Sequence, residues 1–322
     1  MLIKKTIPHQ DVGFLTLLVG GIGSSAGDIH RQRYEADGRP FPNVTALIDT
    51  DPVTASYVDE TIHIGLDGGK LDALKADPSR FGAAAEAICN RMGEYLTAED
   101  ASNGSRTIRS LTQVAFAFHE KRVAIGLRKA VHRLVDSHRV KTIIPIIVGS
   151  SGGGTGSALQ VLLPFKLRDQ TFRQQVLQGF DNSLLQSPIC FVSDPYALAQ
   201  VHDSSHGAKI LANAFAFRIE SAALEKAHAT KYVIHIGFAN SKGTVLSQPA
   251  LIARVLGTSV YEWQRGWSEL KNRFVDTTDV NALSETGYVG RDLPENRLAS
   301  RLATASVNGS VNQDGHNHEG TP

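Results

Sequence analysis

Apolar residues along the chain gather into short runs that stop abruptly at small or acidic residues. Phe14–Val19, Val44–Ile48, Thr61–Leu66, Ile143–Val148 and Ser187–Val192 are each a few residues long and rich in β-branched side chains. Runs of this length and composition read as buried strands. Between them the spacing changes to the helical period. Phe81, Ala84, Ala85, Ile88, Met92 and Tyr95 recur at helical intervals, which reads as a packed surface helix. A long helical pattern covers 110–137, and Ala158, Leu159, Val161 and Leu162 resume it after the fourth run. Trp263 and Trp267 lie four apart on one helix face, a packing pattern. From Ala303 the apolar pattern gives way to Ser, Asn, Gly, Gln and His, which predicts a disordered tail. No internal repeat is evident.

The fourth run feeds the most informative stretch, Gly149-Ser150-Ser151-Gly152-Gly153-Gly154-Thr155-Gly156-Ser157. The order is strand, glycine-rich loop, helix. Glycines lack Cβ, so backbone N–H groups can come close to an anion. A helix N-terminus adds unpaired N–H groups and partial positive charge. Thr155 and Ser157 add hydroxyls. The loop is built to cradle phosphate, though a surface loop without a ligand is the plain alternative. No Lys follows the last glycine, so it is not a P-loop, and its glycines are too dense for the dinucleotide fingerprint.

Other strand ends carry related chemistry. The first run enters Gly20-Gly21-Ile22-Gly23-Ser24-Ser25-Ala26-Gly27-Asp28, a second glycine-rich stretch before a helix. Alone it suggests a Rossmann-like first turn, or a tight turn with no ligand. The second run ends in Asp49-Thr50-Asp51-Pro52. Carboxylates there commonly face a ribose or a metal, and a helix N-cap is the alternative. Gly104-Ser105-Arg106-Thr107-Ile108-Arg109 precedes the long helix, and its arginines suit an anion or a solvated, sheet-capping role. Ser193 and Asp194 close the fifth run as ribose or capping candidates. His202-Asp203-Ser204-Ser205-His206 lacks metal-ligand spacing, and His316 and His318 are too few for a site.

Composition narrows the class. The 322 residues are 42% hydrophobic and 20% charged, enough for one large or two modest domains. Net charge is +1, from 33 basic and 32 acidic residues, so charge implies neither a nucleic-acid nor a membrane partner. Cys89 and Cys190 sit in helical and strand patterns, which favours free thiols in a reducing compartment. No apolar run approaches a membrane helix, and the N-terminus lacks signal-peptide form. The expectation is a cytoplasmic protein.

Gly152-Gly153-Gly154-Thr155-Gly156-Ser157 resembles the signature phosphate loop of the tubulin/FtsZ superfamily, and the loop order over residues 12–250 is similar, most like divergent bacterial tubulin-like proteins. The resemblance implies an α/β fold: a Rossmann-like parallel sheet with helices on both faces, then a central helix and a short C-terminal part. It implies GTP/GDP as ligand with Mg2+. Phosphate contacts would come from Gly20, Gly21, Gly23, Ser24 and Ser25, from Gly104, Ser105, Arg106 and Arg109, and from 152–157. Asp49 and Asp51 match an Asn-Thr-Asp-like segment, and Ser193 and Asp194 the ribose position. Ser221 falls where the family reads guanine with Asn, which weakens the expected selectivity.

The domains expected are 1–225 for nucleotide binding with a helical insert at 67–101, 226–302 for a reduced helical region, and 303–322 for the tail. The family completes its active site between subunits, with acidic residues from a loop after the central helix. The segment matched by spacing, Gly243–Arg254, has no Asp or Glu, and only Gln248 to orient water. Glu262 and Glu269 are acidic residues nearby. The resemblance therefore implies a GTP-binding switch or assembly component with weak hydrolysis and an unidentified protein partner. The alternatives are a filament-forming GTPase, which self-associates, and a Rossmann-type dinucleotide enzyme.

Overall fold

β1 (Val12–Val19) and β2 (Asn43–Asp49) are buried at every position. That is why their sequences read as continuous apolar runs with no alternation. The computed structural model describes residues 11–52, 55–102, 104–105, 107–194, 205–237 and 248–273. With β3 (Glu60–His63), β4 (Thr142–Ser150), β5 (Ile189–Asp194) and β6 (Tyr232–Gly237) the strands form one six-stranded sheet, ordered β3-β2-β1-β4-β5-β6. Every pairing is parallel. The chain runs outward from β1 to β3, returns to β4, and then runs outward the other way. The order reverses between β1 and β4, the switch point at which open α/β sheets commonly bind ligands.

Parallel strands need crossover helices. These are α1 (Gly20–Ala36), α2 (Gly68–Ala76), α3 (Ala83–Met92), α4 (Ala98–Ser102), α5 (Arg109–His138), α6 (Gly154–Arg168), α7 (Gln170–Val176), α8 (Ser205–Lys226) and α9 (Pro249–Arg273). Period-two alternation sends Leu15, Leu17, Ile48, Ile147 and Cys190 to one face, where Leu127, Leu159 and Phe217 of α5, α6 and α8 cover them. Phe14, Leu18, Ile146 and Phe191 point to the other face, under Ala26 of α1 and Leu256 and Tyr261 of α9. The fold is thus the α/β sheet with helices on both faces. Among the described residues no helix is long and apolar enough to cross a membrane. Cys89 and Cys190 are free, and burial pushes the Cys190 thiol up to about 12.

The helical stretch at 67–101 consists of α2, α3 and α4 with two 3-10 turns, around a small core of Leu66, Leu71, Leu74 and Leu96 beside the start of α5. Tyr95, read as part of a helix face, is 71% exposed because it sits in the second of those turns.

The boundary expected at 225 can be set beside the element order. It falls near the end of α8, and the two elements beyond it belong to the same layers. β6 pairs with β5 from Ile189↔Tyr232 to Asp194↔Gly237. α9 packs on α1 so closely that a Cβ on Gly257 would lie 2.2 Å from the Ala26 carbonyl oxygen. A buried polar chain fastens α9 further. Gln264 Nε2 donates to Thr16 Oγ1 at 2.9 Å, and Thr16 donates to Asn43 Oδ1 at 2.7 Å. His30 Nε2 meets Gln264 Oε1 at 2.5 Å. Burial pushes the His30 imidazole down to about 4, so it is neutral and Nε2 carries the proton donated to Gln264. The tail expected at 303–322 lies outside the described residues.

This packing is open to test in α9. Gly257→Ala is expected to destabilise by about 2 kcal/mol, because backbone blocks the new methyl. Gly266→Ala, which points into open space in the same helix, is expected to stabilise by up to about 1 kcal/mol. Urea unfolding of the two variants checks both signs.

Candidate functional site

The first and fourth loops meet at the sheet's switch point because they lack side chains. Gly20 has φ +68, and a Cβ there would lie 3.0 Å from the Gly156 nitrogen. A Cβ on Gly156 would lie 2.8 Å from the Ser150 oxygen, and one on Gly149 would lie 2.6 Å from Val19 Cγ2. Gly23 packs α1 onto β4, since its Cβ would come within 2.4 Å of the Val148 oxygen. The expected loop at 20–28 is in fact helix from Gly20 onward: β1 turns into α1 at once, and Gly20 absorbs the change of direction.

The third loop joins them. A Cβ on Gly154 would lie 2.9 Å from the Ile108 nitrogen and 2.4 Å from Ser105 Oγ. So α1, α5 and α6 begin side by side. None has a side-chain cap; their N-cap residues are Val19, Ile108 and Gly153. The first intrahelical bond of α6 is Ser157 N–H to Gly153 O, which leaves the N–H groups of Gly154, Thr155 and Gly156 ahead of it. Gly21 and Gly153 differ from their neighbours: a Cβ on either meets nothing within 4 Å. These two border open space, whereas the others serve packing.

Three hydroxyls tie the loops. Thr50 Oγ1 and Thr155 Oγ1 are 2.7 Å apart, and Ser105 Oγ is 3.0 Å from Thr155 Oγ1. The Ser105 N–H donates to Thr50 Oγ1 at 3.2 Å. Gly104, at φ +74, has no room for a Cβ beside the Asp51 carboxylate, so Asp51 lies against the third loop. Thr107 holds φ +68, a conformation that a β-branched residue rarely takes.

Asp49 is 4% exposed. Its Oδ1 accepts the Asp51 N–H at 3.2 Å, and its Oδ2 is buried without a partner. Burial pushes the carboxyl up to about 6, the Asp51 N–H pulls it down, and the Asp51 carboxylate adds to the rise.

The other expected contacts divide. Ser24 shares its hydroxyl with Tyr57 at 2.5 Å, and Ser25 is exposed. Ser157 donates its hydroxyl to the Asn213 carbonyl of α8 at 3.4 Å, so it braces the loop from behind. Arg109, read as a phosphate contact, has a different use: Nη2 reaches the Ser157 carbonyl at 3.3 Å and forms an ion pair with Glu220 of α8. Ser221, placed at the base-reading position, lies inside α8 and donates to the Arg218 carbonyl at 3.0 Å. It therefore precedes β6. Ser193 accepts the Ser151 N–H on its carbonyl at 2.9 Å, and its hydroxyl is buried without a partner. Asp194 ends β5. Arg106, the His202–Ser204 stretch and 238–247 lie outside the described residues. Among the described residues no group of three His, Cys, Asp or Glu side chains is placed to hold a metal.

Sequence reasoning missed Thr50 and Asn213. Asn213 Nδ2 donates to Thr107 O at 2.8 Å and to Gly152 O at 3.0 Å. The available signal was a polar residue two before Phe215 in the otherwise apolar run Ile210–Phe217.

No family model and no curated protein matches the chain. Among solved structures it is similar to TubZ from Bacillus thuringiensis serovar israelensis, in a GTPγS-form protofilament, at 11% identity and a TM-score of 0.42. The match covers 79% of this chain and 56% of that one, little more than half its length. At that score the likeness is coarse, and the site rests on its own geometry.

Asp49 gives the site a pH signature. Its folded value lies above the ordinary carboxylate value of 3.8, so between the two the folded chain holds a proton that the unfolded chain has lost. The Asp49 contribution to stability is therefore most favourable below about pH 4, falls as pH rises to about 6, and stays lower above. Asp49→Asn is expected to stabilise by about 2 kcal/mol at pH 7.5, a gain that vanishes near pH 4. Urea midpoints at the two pH values check it.

Proposed function

We propose that the chain is a guanine-nucleotide-binding module of the tubulin/FtsZ type, acting as a switch or assembly component. The observation that carries this reading is the side-by-side start of three uncapped helices at the sheet's switch point. Their N–H groups and partial positive charges suit a chain of phosphates. Gly21 and Gly153 border the space where the phosphates would sit. Asp51, which follows β2 and lies against the third loop, is the carboxylate that would hold a Mg2+ brought in by the phosphates, which would supply charge neutralisation. Guanine over adenine rests on the sequence resemblance, since Ser221 is engaged within α8.

Two observations favour second readings. Residues 249–254 are the first turns of α9, with Pro249 at its start, and not a loop after a central helix. The absence of acid there no longer argues for weak hydrolysis. If α9 is the central helix, the first acidic residues after it in sequence are Asp276 and Asp279, and the filament GTPase regains ground. The strand order is also the one dinucleotide enzymes use. Against a dinucleotide stands the second glycine-rich turn, after β4.

Titration with GTP, ATP and NAD+ separates the ligands, and phosphate release over a series of protein concentrations separates switch from filament. GTP is expected to bind. Gly153→Val, whose backbone at φ −80 and ψ 159 accepts Val, is expected to weaken binding by about 30-fold or more with a melting shift under about 2 °C. Unchanged affinity in that variant would place the ligand elsewhere. Turnover that climbs steeply with concentration would favour the filament.

A further inference from the structure

The third and fourth loops are held at their spacing by one side chain from outside the site. Asn213 sits on the buried face of α8 and reaches both. Its two amide hydrogens meet two carbonyl oxygens, Thr107 at 2.8 Å and Gly152 at 3.0 Å. Both acceptors are carbonyls, so the nitrogen must face them, and the amide orientation is fixed by chemistry. No hydroxyl or carboxylate of similar size donates two such bonds. A second pair of contacts backs the first: Ser157 Oγ donates to the Asn213 carbonyl, and Arg109 links Ser157 O to Glu220, two helical turns further along α8.

Thr107 explains why a clamp is required. At φ +68 its side chain crowds its own backbone, and left alone the residue would relax toward negative φ. That relaxation would swing the Thr107 carbonyl and displace Ile108, whose nitrogen opens α5 against Gly154. The bond from Asn213 opposes it.

We propose that Asn213 is a positioning residue: from α8 it fixes the spacing of the third and fourth loops, and thereby the affinity of the site for a phosphate chain. The affinity part rests on the phosphate-binding reading given above; the spacing part does not. Loss of the clamp lowers the fraction of molecules in the binding-competent arrangement, and apparent affinity falls by that fraction.

The test pairs Asn213→Ala with Thr107→Gly. Glycine adopts positive φ without steric cost, so it removes the need for the clamp. Asn213→Ala is expected to weaken GTP about 10-fold and to speed amide exchange at 107–109 and 152–155 in the nucleotide-free chain. Thr107→Gly alone is expected to change affinity less than about 3-fold, and the double variant to return within about 3-fold of the parent. Glu220→Gln is the control: Thr107→Gly should not rescue it. If Asn213→Ala fails to fold, Asn213→Ser, with one donor, replaces it in the same comparison. Unaltered exchange at both loops in the Asn213 variant overturns the proposal. So does a double variant as weak as Asn213→Ala. If the parent binds no GTP, the phosphate reading fails, and the exchange measurement still decides the role of Asn213.

Discussion

Three helix N-termini share one edge of the sheet, and the rest of the site follows from holding them there. Each carries roughly half a positive charge and unpaired N–H groups. Brought together without side-chain caps, they repel one another. A parallel sheet makes the convergence unavoidable, since all strands end on the same edge and their crossover helices start there. The reversal between β1 and β4 then brings α1 and α6 into contact. Glycine at 20, 149, 154 and 156 permits the approach, and the Thr50, Ser105 and Thr155 hydroxyls hold it. Among the described residues no N-cap side chain accepts these N–H groups. This is the basis for the proposal that an anion with several oxygens binds at this edge.

The parts of this arrangement that were legible in the sequence are local. β-branched runs marked five of the strands, and glycine-rich stretches after the first and fourth marked the edge that matters. The uses of individual hydroxyls and charges were not legible, because they depend on partners far away in sequence. Arg109 pairs with a carboxylate 111 residues later, and Asn213 reaches back 106 residues to Thr107. Ser157 and Ser24 read as phosphate donors by position, yet each turns toward a side that only the tertiary fold defines. The run Tyr232-Val233-Ile234-His235-Ile236 is as β-branched as the other strands, but it has no glycine loop at its end to draw attention. The density of glycine had itself a double meaning. The same composition borders open space at Gly21 and Gly153, and serves close packing of helix on strand at Gly23 and Gly27.

Rigidity at the site comes from small groups, each contributing about 1 kcal/mol, and not from one dominant bond. That suits an edge that must stay open to a ligand. The hydroxyl cluster is short-range and adaptable, since either member of each pair can donate. Asn213 is not adaptable, because both its acceptors are carbonyls. The strained backbone at Thr107 is thus opposed by the least ambiguous hydrogen bonds in the site. An equilibrium between clamped and relaxed loops is the natural place for α8 to influence binding.

The position of α9 changes what the chain's acidic residues mean. A polar chain from Gln264 through Thr16 to Asn43, with neutral His30 attached, is buried between two helices and the sheet. Breaking it would leave several buried groups without partners, so α9 is fixed in register against α1. A helix held that firmly belongs to the same packed layers as the sheet and is not a detachable appendage. Of the acid-free segment that suggested slow hydrolysis, residues 249–254 begin this helix, with Ile252 and Ala253 buried and Pro249, Ala250 and Arg254 exposed. On the proposed tubulin/FtsZ-type reading, a carboxylate that activates water for a neighbouring copy would be sought after Arg273, where the sequence supplies Asp276 and Asp279 within six residues. Chain length between the sheet and the first acid, rather than the absence of acid, becomes the quantity that separates a nucleotide switch from a hydrolysing filament.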